Sequence, residues 1–427
     1  MSTNIQKNQI TEGIIWRQLL LFFFPILLGT FFQQLYNTID SVIVGQFVGK
    51  EALAAVGGSS AQIVAFVVGF FTGLSSGASV TIAQFFGAKD SRSANKGLHT
   101  AYAIAAFGGL ILTVSGIILT PFLLEMMNTP ADIVADSAVY LRIYFAGIIF
   151  VLIYNMGSAI LRATGDSKRP LYYLIVCCII NIVLDVLFVI VFHMGVMGVA
   201  VATLIAQAVS AVLVTLKLMR SEGILKLSVK QIRFHGSILK MQLKLGLPTG
   251  FEAILFSITN IAIQSAVNTF GTDTTAAWSA YGKLDAIFWM VSTAFGIAIT
   301  TFVGQNYGAG KMDRVRKSTR VCLLMDFIVS AVLVVFLIAA RFLLFRLFTN
   351  DSHVIEIGCD MLVLITPWYI VYVFIEVIAG ALRGVGNVVV PVAITLLGVC
   401  VLRIAWLAAM LKISPTISAI ILSYPVT

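Results

Sequence analysis

QQLYNTIDSVIVGQFV, residues 33–48, closes an apolar run that begins near Ile14 and carries Pro25 in its interior. Asp40 stands inside this stretch. A carboxylate at the centre of a membrane helix opposes insertion by about 2.5–3.5 kcal/mol. An ionisable group retained there marks an ion or substrate pathway, unless it sits at a helix end and snorkels to the headgroups. Gln33, Gln34, Tyr36 and Asn37 accompany Asp40, so the run ends in a polar stripe rather than in a lone terminal charge.

The rest of the chain sets the same solvent. Of its 427 residues 59% are apolar and only 11% charged, with a mean hydropathy of +1.00. Soluble chains carry about 25% charged residues. Apolar runs of membrane-crossing length recur throughout, as a polytopic helical membrane protein requires. The net charge of +9 would suggest nucleic acid in a soluble protein. Here basic loops between membrane helices account for it, and no nucleic-acid partner is expected. The five cysteines lie in apolar runs and the four histidines are scattered, without metal-ligand or redox spacing. The first apolar run is too long for a cleaved signal peptide and reads as a retained span.

Working outward from that span, apolar runs fall near 14–47, 52–82, 98–124, 136–161, 170–193, 195–219, 243–270, 275–303, 318–347, 354–381 and 388–411. A twelfth begins near 416 and is expected to be incomplete at Thr427. Placing the N-terminus in the cytoplasm puts Lys7, Arg17, Arg162, Arg383 and most other basic residues on the inner side. Lys50, Arg142, Lys283, Arg341, Arg346, Arg403 and Lys412 remain outside or within helices.

The chain also repeats itself. LRATGDSKRP at 161–170 returns as LRGVGNVVVP at 382–391, and QFFGA at 84–88 as QNYGA at 305–309. FPILLG around Pro25 matches LPTGFE around Pro248. Six spans per unit is an even number, so the units should be parallel repeats. The expected fold is all-α and polytopic, with twelve transmembrane helices in two six-helix parallel repeats and an incomplete last helix. Residues 1–222 would form the N-terminal lobe with the cation site, 223–240 a basic cytoplasmic linker, and 241–427 the C-terminal lobe.

Three spans offer oxygen ligands at one level. Asn181 and Asp185 stand at i,i+4 in the fifth span, on one helix face. At 1.5 Å per residue Asp185, Thr203 of the sixth span and Asp40 all lie about 12–13 Å below the outer end. Two carboxylates, an amide and a hydroxyl suit a hard monovalent cation. Neighbouring carboxylates also resist joint ionisation, so a proton serves equally. At the repeat shift these four positions become Ile263, Leu402, Trp406 and Tyr424. The polar set therefore exists once in a duplicated frame, which interhelical polar contacts alone would not explain.

The second half has its own acids, Glu252, Asp285, Asp326 and Glu376. Glu376 takes the place of Asn155, so both halves put a polar group there and both are expected to face a cavity. Lys283 and Asp285 are two apart and do not face each other on a helix. Gly165 and Gly386 suit helix C-termini, and Pro170 and Pro391 start the helices that follow. No P-loop, zinc-protease or other enzyme signature is present, so the chain is not expected to be an enzyme and no cofactor is expected.

QQLYNTIDSVIVGQFVG, the QFFGA and QNYGA loops, the paired LRxxG turns and NIVLD at 181–185 together resemble the multidrug and toxic compound extrusion (MATE) family. The resemblance implies a secondary antiporter that expels cationic or amphipathic drugs in exchange for Na⁺ or H⁺. It also implies a cation site at the positions matching Asp40, Asn181, Asp185 and Thr203, and a first-helix bend at Pro25. Gln33, Tyr36, Tyr140 and Asn155 match groups that line the first-half cavity; with Asn37 of the polar stripe and Glu376 they form the expected substrate cavity. Some members carry key acids in the seventh and tenth helices, but the offsets of Glu252 and Glu376 depart from that pattern. The expected setting is the cell membrane, with a monomer, drugs and membrane lipids as the partners. A flippase for a lipid-linked saccharide or cell-wall precursor is the alternative, disfavoured because the basic residues lie mostly in loops.

Overall fold

Most apolar runs become helices longer than the runs themselves. The structure, a computed structural model, describes residues 9–414 and 416–427; Lys7 lies outside them. Eleven described helices are long and apolar enough to cross a membrane. They are α1 Ile15–Phe47, α2 Lys50–Gly87, α3 Ser91–Met126, α4 Val134–Ala163, α5 Lys168–Val191 and α6 Gly195–Met219. After the connector follow α7 Gly236–Asn268, α8 Thr272–Gly308, α9 Met312–Arg346, α10 Ser352–Gly384 and α11 Val389–Ile413. A shorter apolar helix, α12, covers Ile417–Val426. The chain is thus an all-α polytopic membrane protein.

The extra length comes from polar ends that hydropathy discounts. Asp90 caps α3, which begins seven residues before its apolar run, with Oδ1 accepting from the Ser93 N–H at 3.0 Å. Asp351 caps α10 through the N–H groups of His353 and Val354. Prolines inside helices have different outcomes. Pro25 and Pro248 lie within uninterrupted α1 and α7. At Pro367, α10 tightens into a 3-10 turn over Thr366–Trp368, the local adjustment expected where proline removes a backbone donor.

The helices gather into two compact units. A continuous unit spans Phe24–Gly250; a split unit joins the chain through Phe23 to Phe251–Thr427. Both seams fall within three residues of Pro25 or Pro248. The units therefore cut across the sequence repeats, because each includes the leading part of a helix that opens the other repeat.

In the continuous unit α4 packs against α2, α3 and α6. The leading part of α7 lies directly on α2. A Cβ on Gly73 would stand 2.4 Å from the Gly250 backbone nitrogen, and one on Gly77 2.4 Å from the Gln242 carbonyl oxygen. Two small-xxx-small pairs, Gly73/Gly77 and Gly246/Gly250, thus bring backbones together as membrane helices commonly do. In the split unit α8 takes the central place, packed by α9 and α10. There the start of α1 meets α8 through rings: Phe23 stacks on Phe295 at 4.1 Å and Phe22 meets Phe302 edge-on at 6.0 Å. Arg314 donates to the Ile10 and Gly13 carbonyls, fixing the segment before α1.

The paired turns repeat to the level of single hydrogen bonds. Gly165 and Gly386 have φ of 97° and 90°. The Asp166 N–H bonds the Leu161 carbonyl and the Asn387 N–H that of Leu382, both at 2.9 Å. These are the paired bonds of a glycine-ended helix, as the LRxxG spacing predicts.

Candidate functional site

Asp40, Asn181, Asp185 and Thr203 come together inside the continuous unit. Asp185 and Thr203 are equally far in sequence from Met194, so the antiparallel pair α5 and α6 sets them at one level. On α1, Tyr36 and Asp40 are one turn apart and both buried. Asp40 faces Asp185, Thr203 and Asn181. All four side chains are buried, Asp185 completely.

None of these groups is satisfied in the ordinary way. Among the described residues, Asp40 Oδ1, both Asp185 oxygens, both Asn181 amide atoms and Thr203 Oγ1 are buried without a hydrogen-bond partner of normal geometry. An orphaned buried polar atom costs about 1–3 kcal/mol, more if charged. A converging set of oxygens with unused lone pairs is what a monovalent cation or a shared proton would satisfy. Immediately after Asp185 the helix widens into a π segment, Val186–Val191. Such segments re-aim the residues beside them and recur at functional sites.

The polar stripe of α1 divides between two faces. Tyr36 and Asp40 point inward, whereas Gln33 and Asn37 are exposed. Tyr36 Oη accepts from Gln207 Nε2 at 3.4 Å. Tyr140 stacks with Tyr144 at 6.2 Å, and its surroundings include both acids of the cluster. Asn155 is half-buried on α4. Gln207 was not among the expected site residues, although its position one turn after Thr203 puts it on the same face.

The corresponding positions in the split unit carry no acid. Ile263 packs with Ala266, Val267, Leu407 and Ile420. Trp406 donates to the Ala419 carbonyl at 2.8 Å, and Tyr424 lies under the Arg403 guanidinium at 4.4 Å.

The split unit's acids are instead partnered, except that Asp326 Oδ2 is buried without a hydrogen-bond partner. Asp285 accepts from Trp289 Nε1 at 2.9 Å, from Tyr281 at 3.4 Å and from Tyr369. Lys283 is exposed on another face, as the two-residue spacing predicts. Asp326 is fully buried and takes the Ser330 hydroxyl at 3.1 Å. Glu376 pairs with Arg383 at 3.6 Å and accepts from the Tyr372 hydroxyl at 3.5 Å. Glu252 lies near the same arginine and near Thr395. Arg383 therefore does more than mark an inner loop. Its seven-residue spacing from Glu376 put both on one face of α10, a signal present in the sequence.

The MatE family model matches residues 25–187 and 248–407. The probable multidrug resistance protein YoeA of Bacillus subtilis (strain 168) is 30% identical over 393 residues, covering 90% of this chain and 84% of that protein. The probable multidrug resistance protein YpnP of the same strain is 30% identical over 400 residues, 93% of this chain and 89% of that one. Among solved structures, the outward-facing conformation of a multidrug resistance MATE family transporter of the MOP superfamily superposes with a TM-score of 0.91. It is 21% identical and covers 100% of this chain and 95% of its own, a likeness of fold.

Proposed function

Because the chain belongs to the MatE family, we propose that it is a secondary active antiporter exporting cationic or amphipathic compounds in exchange for Na⁺ or H⁺. It is a multi-pass membrane transporter, and its relatives are named for multidrug resistance. One observation carries the coupling: two buried carboxylates, an amide and a hydroxyl converge in a single copy with their hydrogen-bonding capacity unused.

An ion or proton at Asp40 and Asp185 neutralises charge that the surrounding apolar helices oppose. Ion and exported compound must favour different states of the protein for one to drive the other. Asp40 shares α1 with Pro25, so a rearrangement around the ion is carried along a helix with a proline in its inner part. In the continuous unit Gln33, Tyr36, Asn37, Tyr140 and Asn155 are the groups offered to the exported compound; in the split unit it is Glu376. The N-terminus is cytoplasmic in this reading, and access to the binding groups alternates between the two sides of the membrane.

Dye efflux from proteoliposomes with separately imposed Na⁺ and H⁺ gradients tests the proposal. At least one gradient is expected to drive efflux by the unaltered protein. Asp40→Asn should insert and fold normally yet fall to background leak under either gradient. Wild-type rate and ion dependence in Asp40→Asn would overturn the mechanism. Lipid translocation without gradient-driven efflux would favour the flippase reading instead.

A further inference from the structure

A cavity of about 340 Å³ opens in the continuous unit, where the first turns of α3 meet the connector that precedes α7. Arg92, Lys96, Lys230 and Arg233 line it, together with His99 and His235. The described lining contains no carboxylate. Asp90 neighbours Arg92, but its Oδ1 is engaged at the α3 cap. Four cations around so small a space repel one another and concentrate positive potential within it.

The scaffold that holds them is built rather than incidental. His99 is buried; its Nδ1 lies 2.8 Å from the Asn95 carbonyl and its Nε2 accepts from the Ser228 N–H at 3.0 Å. Those bonds pin the connector to α3. His235 Nε2 accepts from Arg233 Nε at 3.3 Å, which leaves Nδ1–H for Thr100 Oγ1 at 3.1 Å. Partial burial, and then the charges of Arg233 and Lys96 with His99, hold the His235 imidazole below its usual protonation range. Between Arg233 and His235, Phe234 is exposed and meets Phe107 edge-on at 5.9 Å. Phe107 belongs to the exposed apolar surface of α3. The cavity thus sits where a cationic cluster adjoins lipid-facing surface, the level at which headgroups lie.

We propose that this cavity binds a phosphate anion, supplied by the headgroup of an anionic lipid, which locks the connector onto α3. The site is separate from the Asp40 cluster and does not depend on the proposed antiport. Its chemistry is phosphate recognition by Arg92, Lys96, Lys230 and Arg233, so free phosphate is the competing source.

Native mass spectrometry of the full chain from phosphatidylcholine nanodiscs doped with phosphatidylglycerol should show retained phosphatidylglycerol. Lys230→Gln with Arg233→Gln, both exposed, should weaken that retention about thirtyfold. Lys317→Gln with Arg320→Gln, an equal charge loss on α9, should leave it unchanged. Equal retention in the cavity variant, or equal loss in the α9 variant, overturns the site. A second arm measures inorganic phosphate by equilibrium dialysis in phosphatidylcholine alone. Phosphate binding that the cavity variant loses, with phosphatidylglycerol retention unaffected, overturns the lipid assignment. Histidine NMR gives an independent readout: phosphatidylglycerol should raise the His235 protonation midpoint in the unaltered protein, because a bound anion offsets the cations that depress it. No rise overturns the proposal.

Discussion

Asp40 and Asp285 are both acids in apolar helices, and their surroundings differ. Asp285 receives donors from Tyr281, Trp289 and Tyr369, whereas the cluster around Asp40 has unused acceptors. Asp285→Ala should leave those donors without their acceptor and lower stability by about 1–3 kcal/mol, read as a lower thermal unfolding midpoint in detergent. Asp40→Asn should leave that midpoint nearly unchanged. The Asp40 set was legible in the sequence because helical spacing and equal depth are arithmetic on residue numbers. Asp285's partner Tyr369 was not, because the contact crosses from α8 to α10 and no spacing rule reports it. Arg383 lies between these cases: its register with Glu376 was readable, but its position beside a turn suggested a loop charge.

At the scale of elements, the repeat offers paired experiments. Lys89 and Gly310 occupy equivalent places after the QFFGA and QNYGA segments, with φ of 58° and 71°. Left-handed backbone disfavours a side chain by about 1–2 kcal/mol. Lys89→Gly should therefore stabilise the protein and Gly310→Ala destabilise it, each by about 1 kcal/mol, measured as opposite shifts in unfolding midpoint. A Cβ on Gly310 would meet nothing within 4 Å, so only the backbone is tested. The turns were legible because glycine and proline punctuate the chain at fixed offsets. Helix ends were less so: α7 begins at Gly236 rather than near 243, since Lys240 and Gln242 interrupt its apolar run. The π segments of α5 and α11 left no mark in hydropathy, which does not distinguish one helical winding from another.

Across the whole molecule, the number of spans and the duplication were legible, because hydrophobic length and motif spacing survive in sequence. The way the chain is shared between compact units was not, since it depends on which backbones fit face to face. Gly73 and Gly77 of α2 meet the leading part of α7, so fragment 1–222 lacks part of its own unit. Expressed alone, that fragment should be degraded; co-expressed with 223–427, both should accumulate and co-purify. Equal accumulation of 1–222 in either setting would count against this interdependence. The split unit carries the arrangement into the order of synthesis. Phe22 and Phe23 leave the ribosome long before their ring partners Phe302 and Phe295. At about 5–20 residues per second that interval is on the order of tens of seconds. The continuous unit can close once Gly250 has emerged. The start of the first-made helix waits for the second half of the chain, and is among the last parts to reach its native neighbours.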